Sequence, residues 1–392
     1  MPWKEVDPMD ERILFLADYL KQHDSIAALS RRYGISRKTA YKWIRRYQAE
    51  GEAALLTRSP RPLRTPHRTP YAIECEIVRL RSSMLITPGP KKIHSLLKQT
   101  YPDTPLPSRT TIYNILRRRG LIDSRSRPRR RVPPMAAPFA PVQAPNDLWS
   151  ADYKGQFRLG SGTTCYPLTV MDHHSRYLLC CQGVPGTTLN EAKQAFTALF
   201  REHGLPQRIR TDNGVPFASG GCAGLSRLSI WWIRLGITPE RIARGKPQQN
   251  GQHERMHRTL KDAVCRPPCA SMDAQQKRFD HFQNEYNRLR PHESLAQQTP
   301  GSQYKPSDRA FPERLPPMTY PPYYQVCTVR DNGVIYWGNK VIYTSNLLHE
   351  QDLGLTQVKD GVWCVFFGQV PLGTFDERDF SADKRGYISL KV

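Results

Sequence analysis

The sequence predicts a multidomain protein: all-α units at the N-terminus, an α/β core with a mixed sheet, and a small all-β barrel at the C-terminus. Two changes of pattern along the 392 residues support this. Amphipathic helical patterns give way at Leu148 to strands alternating with helices, and short strands separated by glycine turns begin at Tyr320. A chain of this length is long enough for several domains.

The composition favours a polyanionic partner. The chain carries 58 Lys and Arg against 35 Asp and Glu, a formal net charge of +23. Such an excess suits nucleic acid or an anionic membrane surface. No apolar run approaches the length of a membrane span and the N-terminus lacks a signal-peptide core, so we expect nucleic acid and no membrane.

Cysteine usage indicates a reduced, cytoplasmic protein. The nine cysteines are scattered without a disulfide framework. Cys265 and Cys269 have near-metal spacing, but no matching pair follows them, which disfavours structural zinc.

Residues 1–58 have the pattern of a helix-turn-helix domain. Four apolar residues predict the inward face of a first helix: Ile13, Leu14, Ala17 and Leu20. Asp24 or Ser25 can cap a second helix, and Ser36 a third. The third helix has a basic face, formed by Arg37, Lys38, Tyr41, Lys42 and Arg45. A capped basic helix after a glycine turn suits the DNA major groove, although a solvated three-helix bundle would give a similar pattern.

Residues 71–122 repeat this pattern loosely, with Ser108 capping their third helix. We predict a second helical or winged DNA-binding domain; the alternative is a packing module that only spaces the first unit. Residues 123–145 form a basic, proline-rich linker that includes Arg129, Arg130 and Arg131. The linker is expected to follow DNA phosphates, while a nuclear-localisation segment or a plain solvated linker remains open.

Residues 146–310 predict the α/β core, with the order β-β-β-α-β-α-β-α and five strands in a mixed sheet. The predicted elements are strands at 149–158, 166–171, 176–183, 208–211 and near 237, and helices at 189–200, 223–235 and around Glu254. Residues 320–392 follow as a barrel of about five short strands.

Three acids mark the candidate site. Asp152 lies within the first strand, Asp212 ends the fourth, and Glu254 lies on a helix. If the first and fourth strands are neighbours, the carboxylates converge, repel one another and attract divalent cations such as Mg²⁺. Two such ions can assist an in-line phosphoryl displacement. Taken singly, the acids could be a surface charge, a turn former and an ion-pair partner of Arg258.

A polar stripe accompanies Glu254 on its predicted helix, because residues at these spacings share one face. Its members are Asn250, Glu254, His257, Arg258 and Lys261. We expect Asn250, His257, Arg258 and Lys261 to bind DNA near the scissile bond, against the alternative of an exposed helix face. Met256 and Leu260 are expected to pack inward. Asp172, which ends the second strand, is expected to cap its hairpin.

Three motifs carry a family resemblance. The segments 148–155 (LWSADYKG), 211–214 (TDNG) and 249–255 (QNGQHER) resemble the integrase catalytic core. They are most similar to bacterial insertion-sequence transposases of the Asp-Asp-Glu type, and Arg290-Pro291-His292 and Thr299-Pro300 match the tail that follows this core. The resemblance implies a ribonuclease-H-like fold, with Asp152, Asp212 and Glu254 as catalytic, metal-binding residues. It also implies two Mg²⁺ ions per site, with Mn²⁺ as a substitute.

The sequence departs from this family in one respect. Forty-one residues separate Asp212 from Glu254, more than is usual, and we place the extra ones in the loop Ser219 to Leu225.

The resemblance implies a DNA transposase. Such a protein binds the terminal inverted repeats of a mobile element, cleaves 3′ ends with metal, and transfers the strands into target double-stranded DNA. We expect a homo-oligomer on DNA, associated with a bacterial nucleoid. A catalytically silent DNA-binding regulator derived from a transposase is the alternative. A hydrolase of RNA–DNA hybrids is disfavoured, because the A-form major groove is too narrow for a reading helix.

Overall fold

The computed structural model describes residues 8–56, 68–122, 139–243, 245–379 and 387–391. The chain forms two compact units, Met1–Arg68 and Thr69–Val392. Most of the predicted basic linker lies outside the described residues, and so do its arginines Arg129, Arg130 and Arg131. Among the described residues, no helix combines the length and apolarity that crossing a bilayer requires.

The first unit contains three helices and a short 3₁₀ turn, at Pro8–Leu20 (α1), Ile26–Arg32 (α2), Arg37–Glu50 (α3) and Gly51–Leu55. Both predicted serine caps are confirmed: the Ser25 hydroxyl accepts the N–H of Ala28, and the Ser36 hydroxyl accepts that of Thr39. Each cap satisfies an amide that the first helical turn leaves without a backbone partner.

The predicted inward face of α1 is wrong. Ile13 and Leu20 are 44% and 55% exposed, whereas Phe15 and Leu16 are buried. The inward face also contains Arg12, whose guanidinium lies over the ring of Trp43 at 4.4 Å and donates to the Leu55 carbonyl. An arginine can pack its aliphatic stem in the core and stack its guanidinium on an aromatic ring. Because the prediction counted apolar residues alone, it places the inward face of α1 one position away from the observed one.

The second unit begins with another three helices, Tyr71–Ser83 (α4), Pro90–Thr100 (α5) and Arg109–Arg118 (α6). Ser108 caps α6 by accepting the N–H of Thr111, as predicted. Residues 68–122 contain no strand, so the winged version of this prediction is wrong.

A buried carboxylate fastens this helical group to the rest of its unit. The side chain of Glu285, 2% exposed, accepts the backbone N–H groups of Leu85 and Ile86 at 2.9 and 2.6 Å. Ile86 is itself buried against Phe282 and Tyr286 in the core. The loop after α4 is therefore held by paired hydrogen bonds to a charged group, which are stronger than neutral ones.

The α/β core has a mixed sheet with central order β4-β3-β1-β5-β6. Its strands are Leu148–Tyr153 (β1), Phe157–Arg158 (β2), Thr164–Asp172 (β3), Leu178–Val184 (β4), Arg208–Thr211 (β5) and Thr238–Arg241 (β6). β3 pairs antiparallel with β1 and β4, while β5 pairs parallel with β1 and β6. The predicted five strands are present, and the two-residue β2 adds a short extension to β3.

Helices cover both faces of this sheet. They are Leu189–His203 (α7), Arg227–Arg234 (α8), Gly251–Val264 (α9), Met272–Asn284 (α10) and Pro300–Gln303 (α11). On one face Trp149 packs with α7 and α8 through Phe200 and Trp232. On the other, Met171 packs with residues of α9 and α10. Because side chains alternate along a strand, β1 sends Trp149 and Ala151 to one face and leaves Ser150 and Asp152 for the α9 face.

The C-terminal region forms two sheets rather than the predicted barrel. Its strands are Gln325–Thr328 (β7), Val334–Trp337 (β8), Lys340–Tyr343 (β9), Asp352–Lys359 (β10), Val362–Phe367 (β11), Val370–Asp376 (β12) and Ile388–Ser389 (β13). One sheet has the order β12-β11-β10-β7 and the other β13-β9-β8. Within the described residues an isolated bridge joins Thr374 of β12 to Lys391, just after β13, but no ladder joins β7 to β8. A closed barrel is therefore not confirmed. Turn signals predict local hairpins, but closure needs ladders between distant strands.

Candidate active site

Two strands bring the first two acids to one edge of the sheet. β1 and β5 are parallel neighbours, and Ser150 lies opposite Arg210. The same register continued by two residues places Asp152 opposite Asp212. The predicted neighbouring of the first and fourth strands is therefore confirmed.

A tight turn holds Asp212. The N–H of Gly214 donates to Asp212 Oδ1 at 3.0 Å, and the Asn213 side chain donates to the Ile242 carbonyl at 2.8 Å. A Cβ at Gly214 would lie 3.1 and 3.3 Å from the two carboxylate oxygens. Glycine thus leaves room for the Asp212 carboxylate beside the turn.

The helix α9 lies across the same face and supplies the third acid. Its residues His253, Met256, His257 and Leu260 are buried, and Glu254 in the first turn is exposed. Glu254 is near enough to Asp152 for its charge to act on the Asp152 carboxyl. Glu254 can therefore face the edge where β1 and β5 end while its neighbours anchor the helix.

The carboxyl of Asp152 is desolvated, and the charges of Asp212 and Glu254 both act on it. Burial and, after it, the charge of Asp212 raise the pKa of Asp152 from 3.8 to about 7. The N–H of Tyr153 and the charge of Lys154 lower this pKa, while Glu254 raises it. Like charges near a desolvated carboxyl disfavour its ionised form, and a divalent cation would remove that penalty. The oxygen donors of these acids fit Mg²⁺, which prefers carboxylates and water.

A network of hydrogen-bonded, buried polar side chains contacts Asp152. Ser150 Oγ lies 2.7 Å from His253 Nδ1, and Thr169 Oγ1 lies 2.7 Å from Nε2 of both His253 and His257. The Thr169 hydroxyl also contacts the Asp152 carbonyl at 3.0 Å. His257 Nδ1 lies 3.6 Å from Asp152 Oδ2. Burial lowers the pKa of His253 to about 3 and of His257 to about 2, so both rings are neutral and this last contact is not an ion pair.

These histidines also make a possible metal set with Asp152, since their donor atoms lie within 4.8 Å of one another. Imidazole-rich sets suit zinc-like ions rather than Mg²⁺. Both ring nitrogens of His253 already have partners in Ser150 and Thr169. We therefore interpret the histidines as positioning groups and the carboxylates as the better cation ligands. The cysteines Cys265 and Cys269 join no metal-type cluster among the described residues.

The predicted polar stripe on α9 is only partly exposed. Arg258 is exposed and Lys261 is half-buried, whereas His257 and Asn250 are 7% and 3% exposed. The prediction of one exposed face is wrong for His257 and Asn250, because His257 belongs to the same inward face as His253. Histidines four residues apart beside Met256 and Leu260 were the available signal for this buried network. Sequence reasoning missed His253, Thr169 and Ser150.

Asp172 has the structural role that we expected. It is fully buried and accepts hydrogen bonds from the Ser175 N–H, the Ser175 hydroxyl and the Asn146 N–H. The carboxylate thus caps the turn after β3.

The extra residues before Glu254 are used in packing. Cys222 and Ala223 lie against the apolar core of the C-terminal sheets. The Cys222 thiol lies 3.5 Å from the Leu372 carbonyl, and Arg241 donates to the Ala223 carbonyl. The loop Ser219 to Leu225 therefore links the α/β core to the C-terminal region.

The first unit presents the predicted basic surface on α3. Arg37, Lys38, Tyr41, Lys42 and Arg45 are all exposed. Four of them also line a shallow pocket: Lys38, Tyr41, Lys42 and Arg45. The opposite side of α3 is buried through Ala40, Trp43 and Ile44.

Family models match both parts of the chain. Residues 142–247 and 235–300 match two models described as Integrase core domain. The first range contains Asp152 and Asp212, and the second contains Glu254. Residues 11–62 match a Helix-turn-helix domain, and residues 39–116 match a Homeodomain-like domain.

The chain is also similar to proteins of mobile elements. An uncharacterized protein of insertion element IS407 from Burkholderia multivorans is 28% identical over 53% of this chain and 72% of its own length. An uncharacterized protein of IS476 from Xanthomonas euvesicatoria is 27% identical over 54% of this chain, and the match spans only 59% of that protein. Among solved structures, the magnesium complex of the HTLV-2 integrase catalytic core domain (trimeric form) has a TM-score of 0.33 and 17% identity, covering 41% of this chain and 98% of that one.

A helix-turn-helix segment followed by an integrase core defines a DNA-binding protein with an integrase-type fold. Within that class, this chain is a homologue of insertion-element proteins. It resembles insertion-sequence transposases with a retroviral-integrase-like core.

Proposed function

We propose that this protein is a DNA transposase that cleaves 3′ ends of a mobile element and joins them to target DNA. The observation that carries the proposal is the parallel pairing of β1 and β5, which brings Asp152 and Asp212 to one edge of the sheet. Burial first, and then the charges of Asp212 and Glu254, raise the pKa of Asp152 there. An arrangement that destabilises its own charges is suited to divalent cations and to a polyanionic substrate. The integrase-core matches over these residues support the same function.

The DNA-binding units would select the substrate. The exposed face of α3 supplies Arg37, Lys38 and Lys42 for phosphates and base edges in the major groove. Arg258 and Lys261 on α9 would hold phosphates beside Glu254. The DNA selected in this way is the duplex at the element ends, which carries the terminal inverted repeats. Two ends brought together call for a homo-oligomer.

The three acids would hold the cations and align the reacting strand. In cleavage, a water oxygen attacks phosphorus and the bond from phosphorus to the 3′ oxygen breaks, leaving a 3′-hydroxyl on the element. In transfer, that hydroxyl attacks a target phosphodiester and displaces a second 3′ oxygen. When bound, two Mg²⁺ or Mn²⁺ ions would promote deprotonation of the attacking oxygen and stabilise the leaving oxygen. The turn at Asn213 and Gly214 keeps the Asp212 carboxylate in place for both steps.

The test is a cleavage assay with purified full-length protein, Mg²⁺ and a labelled duplex carrying the element end. Asp212→Asn should retain DNA binding and lose cleavage and joining by at least about 10³-fold. Asp262→Asn is the matched control, because Asp262 is an exposed acid on α9 outside the cluster. Full strand transfer by Asp212→Asn would overturn the site. Wild-type protein that binds the end without nicking it would favour the regulator.

A further inference from the structure

A second polar cavity, built from residues that the three acids do not use, lies in the α/β core. Its volume is about 330 Å³, and its polar lining is His173, His174, Arg176, Arg210 and Gln252. Phe139 to Val142 complete the wall. A volume of this size has room for on the order of ten waters, so it can admit a tetrahedral anion with its solvent.

Several polar atoms in the wall have no partner within the protein. They are His173 Nε2, His174 Nδ1, Arg176 Nη1 and Gln252 Oε1. The His173 side chain is almost fully enclosed, at 6% exposed. Buried polar groups normally have hydrogen-bond partners, and each one without a partner is unfavourable in the folded protein. Several such atoms around one cavity indicate a polar ligand.

The charges around the cavity favour an anion. Arg208 and Arg210 share one carboxylate, that of Glu240, at 2.5 and 3.0 Å. The charge of Asp172 acts on the Arg176 guanidinium. The Asp172 carboxylate already accepts three hydrogen bonds from Ser175 and Asn146. Two carboxylates therefore face three guanidinium groups, and an entering anion would meet net positive charge.

The backbone at Arg176 supports a ligand-binding role. Its φ is +65°, a conformation that costs free energy for residues other than glycine and that tends to be retained at functional sites. The turn carries Arg176 beside the cavity directly after the cap at Asp172. Burial lowers the pKa of the Arg176 guanidinium, which an anion in contact would reverse.

The described end of the linker covers the cavity. Arg210 lies over the ring of Phe139 at 4.0 Å, and Arg208 donates to the carbonyls of Ala140 and Pro141. The sequence just before Phe139 contains Arg129, Arg130 and Arg131. The stretch of sequence before Phe139 is therefore rich in positive charge, which suits a polyanionic partner.

We propose that this cavity binds a backbone phosphate of duplex DNA, with Arg176 and His173 as donors to its oxygens and Arg210 as a charged wall. The inference rests on the proposed function, because it takes DNA as the substrate. A neutral imidazole with its proton on Nε2 donates to an oxyanion as a backbone amide does. The phosphate contact would position the duplex without reading its sequence.

The experiment measures binding of a short labelled duplex by fluorescence anisotropy, without divalent metal so that no strand is cut. Arg176→Asn should weaken binding about tenfold and lower the magnitude of the slope of log K against log salt by about 0.9, the value for one lost contact. Asparagine tolerates a positive φ, so this variant should melt at or above the wild-type temperature. Arg176→Lys keeps the charge and should keep most of the slope.

Arg201→Gln is the control, because Arg201 is an exposed arginine in the last turn of α7. An unchanged slope in Arg176→Asn, or an equal loss in Arg201→Gln, overturns the proposal while leaving DNA binding by the wild type intact. Stabilisation of wild type but not Arg176→Asn by inorganic phosphate, with equal DNA slopes, would assign the cavity to a free anion and also overturn it. Absence of DNA binding by the wild type would instead refute the proposed function.

Discussion

The two ends of β1 lie in opposite electrostatic environments. At its carboxyl end, Asp152 is surrounded by the charges of Asp212 and Glu254. Its first residue, Leu148, accepts the N–H of His173, in the turn that leads to Arg176 and the cationic cavity. One end has carboxylates that repel each other, and the other has donors without partners. Both are unfavourable in the protein alone, and ligands of opposite charge would relieve each of them.

The largest effect is expected in the pH dependence of cleavage. Under the proposed function, cleavage requires Asp152 in its ionised form, and the pKa of Asp152 is about 7. The cleavage rate should therefore fall as pH drops through 7, about tenfold per unit below it, or on the order of 100-fold from pH 7 to pH 5. Raising the Mg²⁺ concentration should shift the midpoint to lower pH, because cation and proton compete for the same carboxylate. A flat profile between pH 5 and pH 8 would contradict the prediction.

The repulsion at the acid end should also appear in stability. A carboxyl with a raised folded pKa binds more protons folded than unfolded, so its penalty is absent below about 3.8 and complete above about 7. Asp152→Asn should then stabilise the metal-free protein at pH 8 by on the order of 2 kcal/mol, with little effect at pH 4. Urea unfolding at the two pH values measures this. Equal stability changes at both would show that charge is not the cause.

The buried network beneath Asp152 should respond to loss of one hydroxyl. Thr169→Val keeps the shape but removes the oxygen that contacts His253 and His257, and should destabilise the protein by about 1–2 kcal/mol. The cleavage rate should fall too, since Asp152 loses its support. Thr197→Val is the control, because Thr197 is half-buried on α7 and its hydroxyl donates to the Lys193 carbonyl of the same helix. Equal effects of the two substitutions would argue against a positioning role.

The smallest effect is expected at α3 in the first unit. Lys42→Ala should weaken duplex binding several-fold and reduce the salt slope by about 1, leaving cleavage chemistry unchanged at saturating protein. Lys21→Ala provides a control on the same unit, since Lys21 is an exposed cation paired with Asp18. Binding assays across a salt series distinguish them. A slope unaffected by Lys42→Ala would remove it from the DNA surface.

The sequence was informative where the pattern of the chain is local or motif-based. The caps at Ser25, Ser36 and Ser108 follow from residue type next to a helical pattern. The pairing of β1 with β5 could be predicted because the order of the strands permits it and because the three acids can converge only if these strands are neighbours. The structural role of Asp172 could be predicted because it ends a strand and because the resembling family has an acid there outside the catalytic three.

The sequence was less informative where a charged or polar side chain is buried in the core. Arg12 takes a core position in the first unit, so the predicted inward face of α1 is misplaced. His253 and His257 are buried beside Met256 and Leu260, so the inward face of α9 is wider than predicted. Sheet closure and the cationic cavity depend on contacts between distant segments, such as Phe139 with Arg210. No pattern within a single helix or strand encodes those contacts.

Glu285 gives the second helical group a fixed attachment. Its carboxylate grips two consecutive amides after α4, at Leu85 and Ile86. If α6 binds DNA, the bound DNA lies at a fixed distance from the carboxylates at the edge of the sheet. Glu285→Asp shortens the side chain that makes this attachment. It should then broaden the distribution of cleavage positions more than it changes the cleavage rate.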